Sequence, residues 1–164
     1  MTDTELQESL RPIGWGHAVL KVRDLARSER FYTDIVGFRV VGRRAGMTFL
    51  SLGRQHHDLA LYEAGARARM PGAGNLGVVH LAFAMRDEGA LRRFYTVVRG
   101  QAQILGAVDH VVSRSFYIAD PDGYIIEFFA DAPMEEWSDL PNPFDRDRHY
   151  DPADGPSGED PEHP

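Results

Sequence analysis

The sequence predicts an α+β fold made of two copies of one βαβββ unit, and an internal repeat is the first reason for this prediction. The tetrapeptide Arg-Phe-Tyr-Thr stands at 30–33 and again at 93–96, an offset of 63 residues. His17 and His80 share this offset, and each stands in an apolar, strand-like run that leads into a helix-like segment. Internal repeats determine architecture before any local pattern is read. A duplicated unit therefore places two histidines at matched points of two strands.

The first unit begins with a predicted strand over 14–23. Asp24 has the side chain of a helix N-cap, and it precedes a predicted helix over 25–36 with a buried apolar stripe. Gly37 follows where glycine commonly ends a helix. Three short β-like runs complete the unit, at 38–43, 47–52 and 58–63.

The second unit repeats this order. A strand is predicted over 78–85, Asp87 is the predicted N-cap, and a helix is predicted over 88–99. The turn sequence Asp120-Pro-Asp-Gly123 joins the last two strands of this unit. Its three further strands are predicted near 102–106, 113–119 and 124–130. The chain is thus βαβββ twice, in a pseudo-twofold arrangement.

The size and charge of the chain indicate one domain followed by a tail. A chain of 164 residues is about one domain, expected over 1–132. Its two modules span about 13–63 and 77–130, with a linker over 64–76. Residues from Asp131 onward include 11 acidic and 2 basic side chains, so the acidity of the chain lies in the tail. The tail, 133–164, is expected to dock through Trp137 and Phe144, and to be disordered and dispensable beyond about Asp145.

Composition excludes several classes of function. The chain has no cysteine, which excludes disulfides, thiolate metal ligands and cysteine nucleophiles. Residues 1–130 carry no basic patch of the kind that binds nucleic acid. The acidic N-terminus lacks the apolar region of a signal peptide, and no run approaches membrane-spanning length. We therefore expect a soluble, cytoplasmic protein with no nucleic-acid or membrane partner.

His17, His80 and Glu127 suit a divalent metal. Glu127 stands in the run Tyr124-Ile-Ile-Glu-Phe-Phe129, and burying a carboxylate in such a strand is costly unless it is paired, protonated or bound to a metal. Two imidazoles and one carboxylate on one face form the facial triad that leaves sites open for substrate and O₂. Each residue alone could be a satisfied polar group of the core. The duplication favours the metal interpretation for the set.

On these residues the chain resembles the vicinal oxygen chelate superfamily over about 13–130. The resemblance implies two βαβββ modules that curl into a half-open barrel around a metal. Glyoxalases, thiol transferases, bleomycin-binding proteins and extradiol dioxygenases share this fold, so the site residues must discriminate. Glyoxalase-like members take a further carboxylate ligand from the last strand of the first module. Here Ala60 or Leu61 falls at that position, and only a shifted register would bring Glu63 there.

Two segments resemble extradiol dioxygenases in particular. The run His56-His57-Asp-Leu-Ala-Leu is similar to their His-His-x-(Leu/Ile)-Ala segment, which implies that His57 is the acid–base group. The run from Asp109-His110 to Tyr117 and Glu127 is similar to their signature segment, which implies that His110 and Tyr117 contact the catechol oxygens. The apolar walls of the pocket are expected from Phe49, Phe83, Phe116 and Phe129. As open alternatives, His57 could be an exposed turn residue, His110 a structural strand-end residue and Tyr117 a core aromatic.

The resemblance therefore implies a single-domain Fe(II)-dependent extradiol dioxygenase that acts on a catechol and O₂, with Mn²⁺ as a second candidate metal. Two other functions stay open. One is a metal-dependent glyoxalase-like isomerase, lyase or thiol transferase, and the other is a non-catalytic antibiotic-binding protein. Open strand edges tend to be completed by a partner, so a homodimer is expected.

Overall fold

A computed structural model describes residues 2, 10–72 and 74–154 and divides the chain into two compact units, Met1–Ala68 and Arg69–Pro164. The boundary falls inside the predicted linker over 64–76. Each unit contains one βαβββ module, so the predicted α+β class and the predicted order of elements are confirmed.

The first unit has a mixed four-stranded sheet with the order β1-β4-β3-β2, in which β1 and β4 run parallel. Its elements are β1 Ala18–Val22, α1 Leu25–Phe31, a π-helical turn Tyr32–Val36, β2 Arg39–Arg44, β3 Met47–Ser51 and β4 Leu59–Glu63. The Asp24 carboxylate accepts a hydrogen bond from Arg27 N at 2.9 Å, as expected of an N-cap. Gly37 ends the helical segment at φ 92°, a left-handed conformation that favours glycine.

The second unit has the same strand order with one strand added, β5-β8-β7-β6-β9. Its elements are β5 His80–Ala84, α2 Glu88–Val98, β6 Ile104–Asp109, β7 Ser113–Ala119, β8 Ile125–Asp131, a 3₁₀ turn Met134–Glu136 and β9 Arg148–His149. Asp87 caps α2 by accepting a hydrogen bond from Ala90 N at 2.7 Å. The strand β9 lies in the tail and was not predicted.

The register of the two sheets identifies equivalent residues in the two units. The parallel pair β1–β4 sets Val19 opposite Ala60, and the parallel pair β5–β8 sets Ala82 opposite Glu127. Val19 and Ala82 are 63 residues apart, which is the offset of the sequence repeat. Ala60 therefore occupies the position in the first unit that Glu127 occupies in the second.

The core of the second unit lies between α2 and one face of its sheet. On this face Phe128 is buried and its ring centroid lies 4.7 Å from that of Phe94 in α2. Phe116 and Phe83 contact Phe128 on the same face. The expectation that Phe83 and Phe116 line the substrate pocket was wrong, because side chains alternate along a strand and both point away from the Glu127 face.

The tail also departs from the expectation. Residues beyond Asp145 form β9, which pairs with β6, and Tyr150 is buried at 8% exposure. The Arg92 guanidinium lies 5.1 Å from the Tyr150 ring centroid, a cation–π contact. The prediction that this stretch is disordered was therefore wrong for 146–154, and its dispensability stays a prediction. Residues 155–164 lie outside the described residues.

Of the two predicted docking residues in the tail, Trp137 is half-buried and donates from Nε1 to Ala132 O at 3.3 Å. Phe144 is 77% exposed, so its predicted docking was wrong. Strand pairing satisfies backbone hydrogen-bonding groups whatever the side chains are. This explains how an acidic, Pro-rich segment docks without burying Phe144. In the part of the chain that the structure describes, no helix is long and apolar enough to cross a membrane.

Candidate functional site

The sheet face of the second unit opposite α2 carries a group of polar side chains. His80 is the first residue of β5, and Glu127 is the third residue of β8. Because Ala82 lies opposite Glu127 in the parallel register, His80 stands two residues earlier on the same face. Tyr117 in β7 lies directly opposite Glu127 in the antiparallel register. Local strand alternation thus brings three predicted site residues together.

Glu127 is buried, at 7% exposure, and both of its carboxylate oxygens have partners. Its Oε2 lies 2.9 Å from His80 Nε2, and its Oε1 accepts a hydrogen bond from the Tyr117 hydroxyl at 3.0 Å. A carboxylate in an apolar strand is costly without such partners. These two contacts account for its burial in this structure.

The Tyr117 hydroxyl is held in its protonated form. Burial raises the pKa of Tyr117 well above its ordinary value, and the hydrogen bond to Glu127 and the charge of that carboxylate raise it further. A tyrosinate beside a buried carboxylate would place two negative charges together. Tyr117 is therefore a hydrogen-bond donor at neutral pH.

His110 stands in the short turn between β6 and β7. The next residue, Val111, has φ 72°, a left-handed conformation that is strained for a β-branched side chain. Asp109 supports this turn by accepting a hydrogen bond from Val111 N at 2.7 Å, and His110 N donates to Ser113 O at 2.8 Å. The turn aims the imidazole across the sheet, where His110 Nε2 lies 2.7 Å from the Tyr117 hydroxyl oxygen.

In the first unit, three histidines lie together at one end of the sheet. The ring centroid of His57 lies 4.2 Å from that of His17 and 4.5 Å from that of His56. Phe49 packs against His57 edge to face at 5.3 Å. Burial lowers the pKa of His57, and the neighbouring His17 and His56 lower it further, against an opposing effect of Asp58. The lowered pKa favours the neutral form of the His57 imidazole.

The loop that carries His56 and His57 is held by Asp58. The Asp58 carboxylate accepts hydrogen bonds from Leu52 N at 2.7 Å and from Ser51 Oγ at 3.0 Å. Asp58 O also accepts from Ala18 N at 3.1 Å, which ties the loop to the segment that carries His17. Our sequence reasoning did not single out Asp58. Its position next to His57 in a polar loop was the available signal.

The structure pairs two of the three predicted metal ligands, His80 and Glu127, within the second unit. His17 belongs to the first unit and contacts His57. Over residues 2, 10–72 and 74–154, no three His, Asp or Glu side chains form a group that could hold a metal ion. The ligand roles of His17, His80 and Glu127 stay predictions.

The separation of the His80–Glu127 pair fits two neighbouring ligands of one ion. Two donor atoms that are each about 2.0–2.2 Å from a metal, at right angles to each other, lie about 3.0 Å apart. The distance between His80 Nε2 and Glu127 Oε2 is 2.9 Å. The donor types also suit a metal of the first transition row, because imidazole nitrogen and carboxylate oxygen both bind such ions. The residues present in the second unit therefore fit a metal.

Comparison with known proteins places this chain in a family. Residues 14–128 match the model of the Glyoxalase/Bleomycin resistance protein/Dioxygenase superfamily. The chain belongs to this superfamily. It is 31% identical over 122 residues to a catechol-2,3-dioxygenase of Bacillus subtilis (strain 168), and 33% identical over 129 residues to biphenyl-2,3-diol 1,2-dioxygenase 3 of Rhodococcus globerulus.

The extent of these matches differs between the relatives. The first match covers 74% of this chain and 43% of the Bacillus protein, and the second covers 75% of this chain and 67% of the Rhodococcus protein. The chain thus spans less than half the length of the first relative. A crystal structure of a glyoxalase/dioxygenase from Nostoc punctiforme has a TM-score of 0.61 at 22% identity, over 74% of this chain and 92% of that one. This likeness shows the shared fold.

Proposed function

We propose that this protein is an Fe(II)-dependent extradiol dioxygenase that cleaves the ring of a catecholic substrate with O₂. The observation that carries the proposal is the hydrogen-bonded series of His80, Glu127, Tyr117 and His110 on one sheet face. It combines a pair of metal-ligand side chains with a hydroxyl and an imidazole that can bind substrate oxygens. The names of the two curated relatives, both dioxygenases of aromatic diols, support the same reaction.

In this proposal His80 and Glu127 hold the metal together with His17, whose role rests on the sequence repeat. Iron bound there would supply open coordination positions for the two catechol oxygens and O₂, and a path for electrons between them. Mn²⁺ has similar preferences for nitrogen and oxygen donors, so it is the second candidate.

The side chains of the chain itself would bind, orient and move protons. Tyr117, kept protonated by burial and by Glu127, would donate a hydrogen bond to a substrate oxygen. His110 would fix the second polar contact of the diol from beside Tyr117. His57, with its lowered pKa, would accept a proton from a catechol hydroxyl and return it later. An aromatic wall from Phe49 and Phe129 would exclude water.

The glyoxalase-like alternative is disfavoured by the residue at the matched position of the first unit. The register sets Ala60, with no ligand atom, where such an enzyme takes a further carboxylate. Glu63 lies opposite Val22 at the exposed end of β4. A non-catalytic binding protein would have no use for a buried carboxylate paired with a histidine on its binding face.

The test is anaerobic purification followed by reconstitution with Fe(II), with Mn²⁺ and with no metal. Each form is mixed with a panel of small alkylcatechols and biaryl diols in air-saturated buffer. We expect a yellow ring-fission product and near-stoichiometric uptake of O₂ only with a bound redox metal. Isomerisation of a glutathione hemithioacetal without O₂ uptake, or binding of the diols without turnover in every metal form, would contradict the proposal.

A further inference from the structure

We propose that Asp147, from the C-terminal segment, is a positioning residue that sets the tautomer and orientation of His110, an inference that rests on the proposed ring cleavage. Asp147 Oδ1 lies 2.7 Å from His110 Nδ1, and His110 Nε2 lies 2.7 Å from the Tyr117 hydroxyl oxygen. The imidazole is therefore held at both nitrogens. One contact faces the candidate site, and the other comes from the tail.

The contact follows from the register of the added strand. In the antiparallel pair of β6 and β9, Val108 lies opposite His149 and Asp109 lies opposite Arg148. One step further along the same register sets His110 opposite Asp147. Side chains directly across an antiparallel pair are close enough to hydrogen-bond. The pairing of the tail with β6 thus places the Asp147 carboxylate next to the His110 imidazole.

The buried residue that follows β9 keeps this register in place. Tyr150 is packed against Arg92 of α2, and Arg92 Nη1 donates to Asp151 O at 3.2 Å. Pairing with β6 attaches β9 to the sheet, and the Arg92 contacts attach the residues that follow it to the helix. Although Asp147 is an exposed side chain, its backbone position is determined by packed neighbours.

Counting protons shows what Asp147 contributes. An ionised carboxylate can only accept hydrogen bonds, so the Asp147 contact requires a proton on His110 Nδ1. In the neutral imidazole this leaves Nε2 as an acceptor that faces Tyr117. Without Asp147 no hydrogen bond at Nδ1 would oppose the alternative tautomer, which carries the proton on Nε2. Asp147 thus keeps a proton on Nδ1 and, in the neutral imidazole, leaves the lone pair of Nε2 toward the candidate site, where the one proton of Tyr117 is donated either to Nε2 or to Glu127.

This selection matters because the Tyr117 hydroxyl has one proton and two neighbours that can accept it. Glu127 Oε1 lies 3.0 Å from the hydroxyl oxygen, and His110 Nε2 lies 2.7 Å from it. When Glu127 binds a metal, an acceptor at His110 Nε2 lets Tyr117 or a substrate hydroxyl donate there instead. If Nε2 of His110 carried a proton, it could not accept this hydrogen bond.

The experiment compares Asp147→Ala with Asp145→Ala in the full-length chain. Asp145 is two residues away in the same segment and pairs with Arg146 at 3.1 Å. Its substitution by alanine therefore removes one exposed negative charge, as Asp147→Ala does. The first readout is the ¹⁵N chemical shifts of the His110 imidazole in protein without added metal, assigned by their loss in His110→Asn. We expect the Nδ1–H tautomer in the wild type and in Asp145→Ala, a mixture in Asp147→Ala, and recovery in Asp147→Glu.

The second readout is kcat/KM for ring cleavage by the iron-loaded protein. We expect Asp147→Ala to lower it roughly tenfold, the low end of what loss of a residue that orients an imidazole costs. In a His110→Asn background the same substitution should cause no further loss, because its effect passes through that imidazole.

The two readouts separate this inference from the proposed function. A tautomer change in Asp147→Ala without ring cleavage by the wild type supports the role of Asp147 toward His110 and contradicts the proposed reaction. Ring cleavage by the wild type, with unchanged ¹⁵N shifts and unchanged kcat/KM in Asp147→Ala, overturns the inference and leaves the reaction intact. An equal loss in the wild-type and His110→Asn backgrounds also overturns it.

Discussion

In the first unit, Ala60 lies opposite Phe49 on neighbouring antiparallel strands, and at the equivalent register of the second unit Glu127 lies opposite Tyr117. The strand next to each pair carries a glycine at the matched position, Gly42 or Gly106. The backbone at this point of the sheet is therefore the same in both units. Only the second unit has a carboxylate and a hydroxyl there.

The comparison shows how two copies of one fold come to carry different side chains at matched positions. The second unit carries the buried carboxylate, its histidine partner and the donor hydroxyl. The first unit has apolar side chains at the matched strand positions and places its polar groups in a loop, where His57 has a lowered pKa. The polar side chains thus lie on the sheet face in the second unit and in a loop in the first.

The largest expected effect is loss of the group that only the second unit has. Glu127→Ala makes this unit like the first one, and we expect it to abolish tight metal binding and ring cleavage, because a neutral methyl cannot ligate. Metal content after dialysis measures this. Asp131→Ala, which removes an exposed carboxylate from the same strand, is the control and should keep its metal. Stoichiometric metal in Glu127→Ala would remove Glu127 from the site.

The next effect tests the loop of the first unit. His57→Phe should keep its metal and lose kcat by roughly 10²–10⁴-fold, the usual contribution of a positioned acid–base group. His149→Phe, at an exposed histidine of the second unit, is the control. Because its pKa lies below the ordinary 6.5, His57 stays neutral to lower pH than a free histidine, and activity should fall only as the pH drops through that lower value. Near-normal kcat in His57→Phe would transfer the role to another base.

A smaller effect is expected from removing one hydroxyl. Tyr117→Phe creates in the second unit the aromatic that Phe49 provides in the first. It removes the hydroxyl that is proposed to donate to a substrate oxygen, and because a hydrogen bond to a charged group is worth about 1.5–3 kcal/mol, we expect kcat/KM to fall roughly 10–100-fold. Tyr95→Phe, on the helix face, is the control. Equal kinetics of the two variants would mean that Tyr117 is only a core aromatic of its strand.

The sequence predicted the strands, the helix caps and the βαβββ order, because these depend on local periodicity and on a visible repeat. It also predicted that His80 and Glu127 share a face, and the resemblance to extradiol dioxygenases brought Tyr117 to the same site. It did not predict β9 or the contact of Asp147 with His110. Those depend on backbone pairing between segments more than 35 residues apart, to which side-chain composition is a poor guide.

The next prediction concerns the contribution of the C-terminal tail to the free energy of unfolding. Tyr150→Ala should lower the free energy of unfolding by about 2–3 kcal/mol, because it empties a buried site against Arg92. Phe144→Ala removes an aromatic that is 77% exposed and should change it by less than about 0.5 kcal/mol. Urea unfolding curves measure both. Equal midpoints for the two variants would show that the burial of Tyr150 contributes nothing to the stability of the fold.

The smallest effect concerns a feature that the two units share. In each unit an aspartate beside the histidine accepts backbone hydrogen bonds of its loop, Asp58 from Leu52 N and Asp109 from Val111 N. Burial opposes ionisation of Asp58, but hydrogen bonds from Leu52, Gln55 and Ser51 outweigh it and lower the pKa of Asp58 below its ordinary value.

A carboxyl whose pKa is lowered by folding stabilises the native state above its unfolded pKa, and this contribution is lost as the pH falls through the folded value. We expect Asp58→Asn to cost less than about 1 kcal/mol at pH 7 and nothing at pH 2, because the loop is partly exposed and solvent screens the charge. Urea unfolding of the wild type and Asp58→Asn between pH 7 and pH 2 tests this. A difference between the two proteins that stayed constant over this range would show that Asp58 holds the histidine loop by its shape and not by its charge.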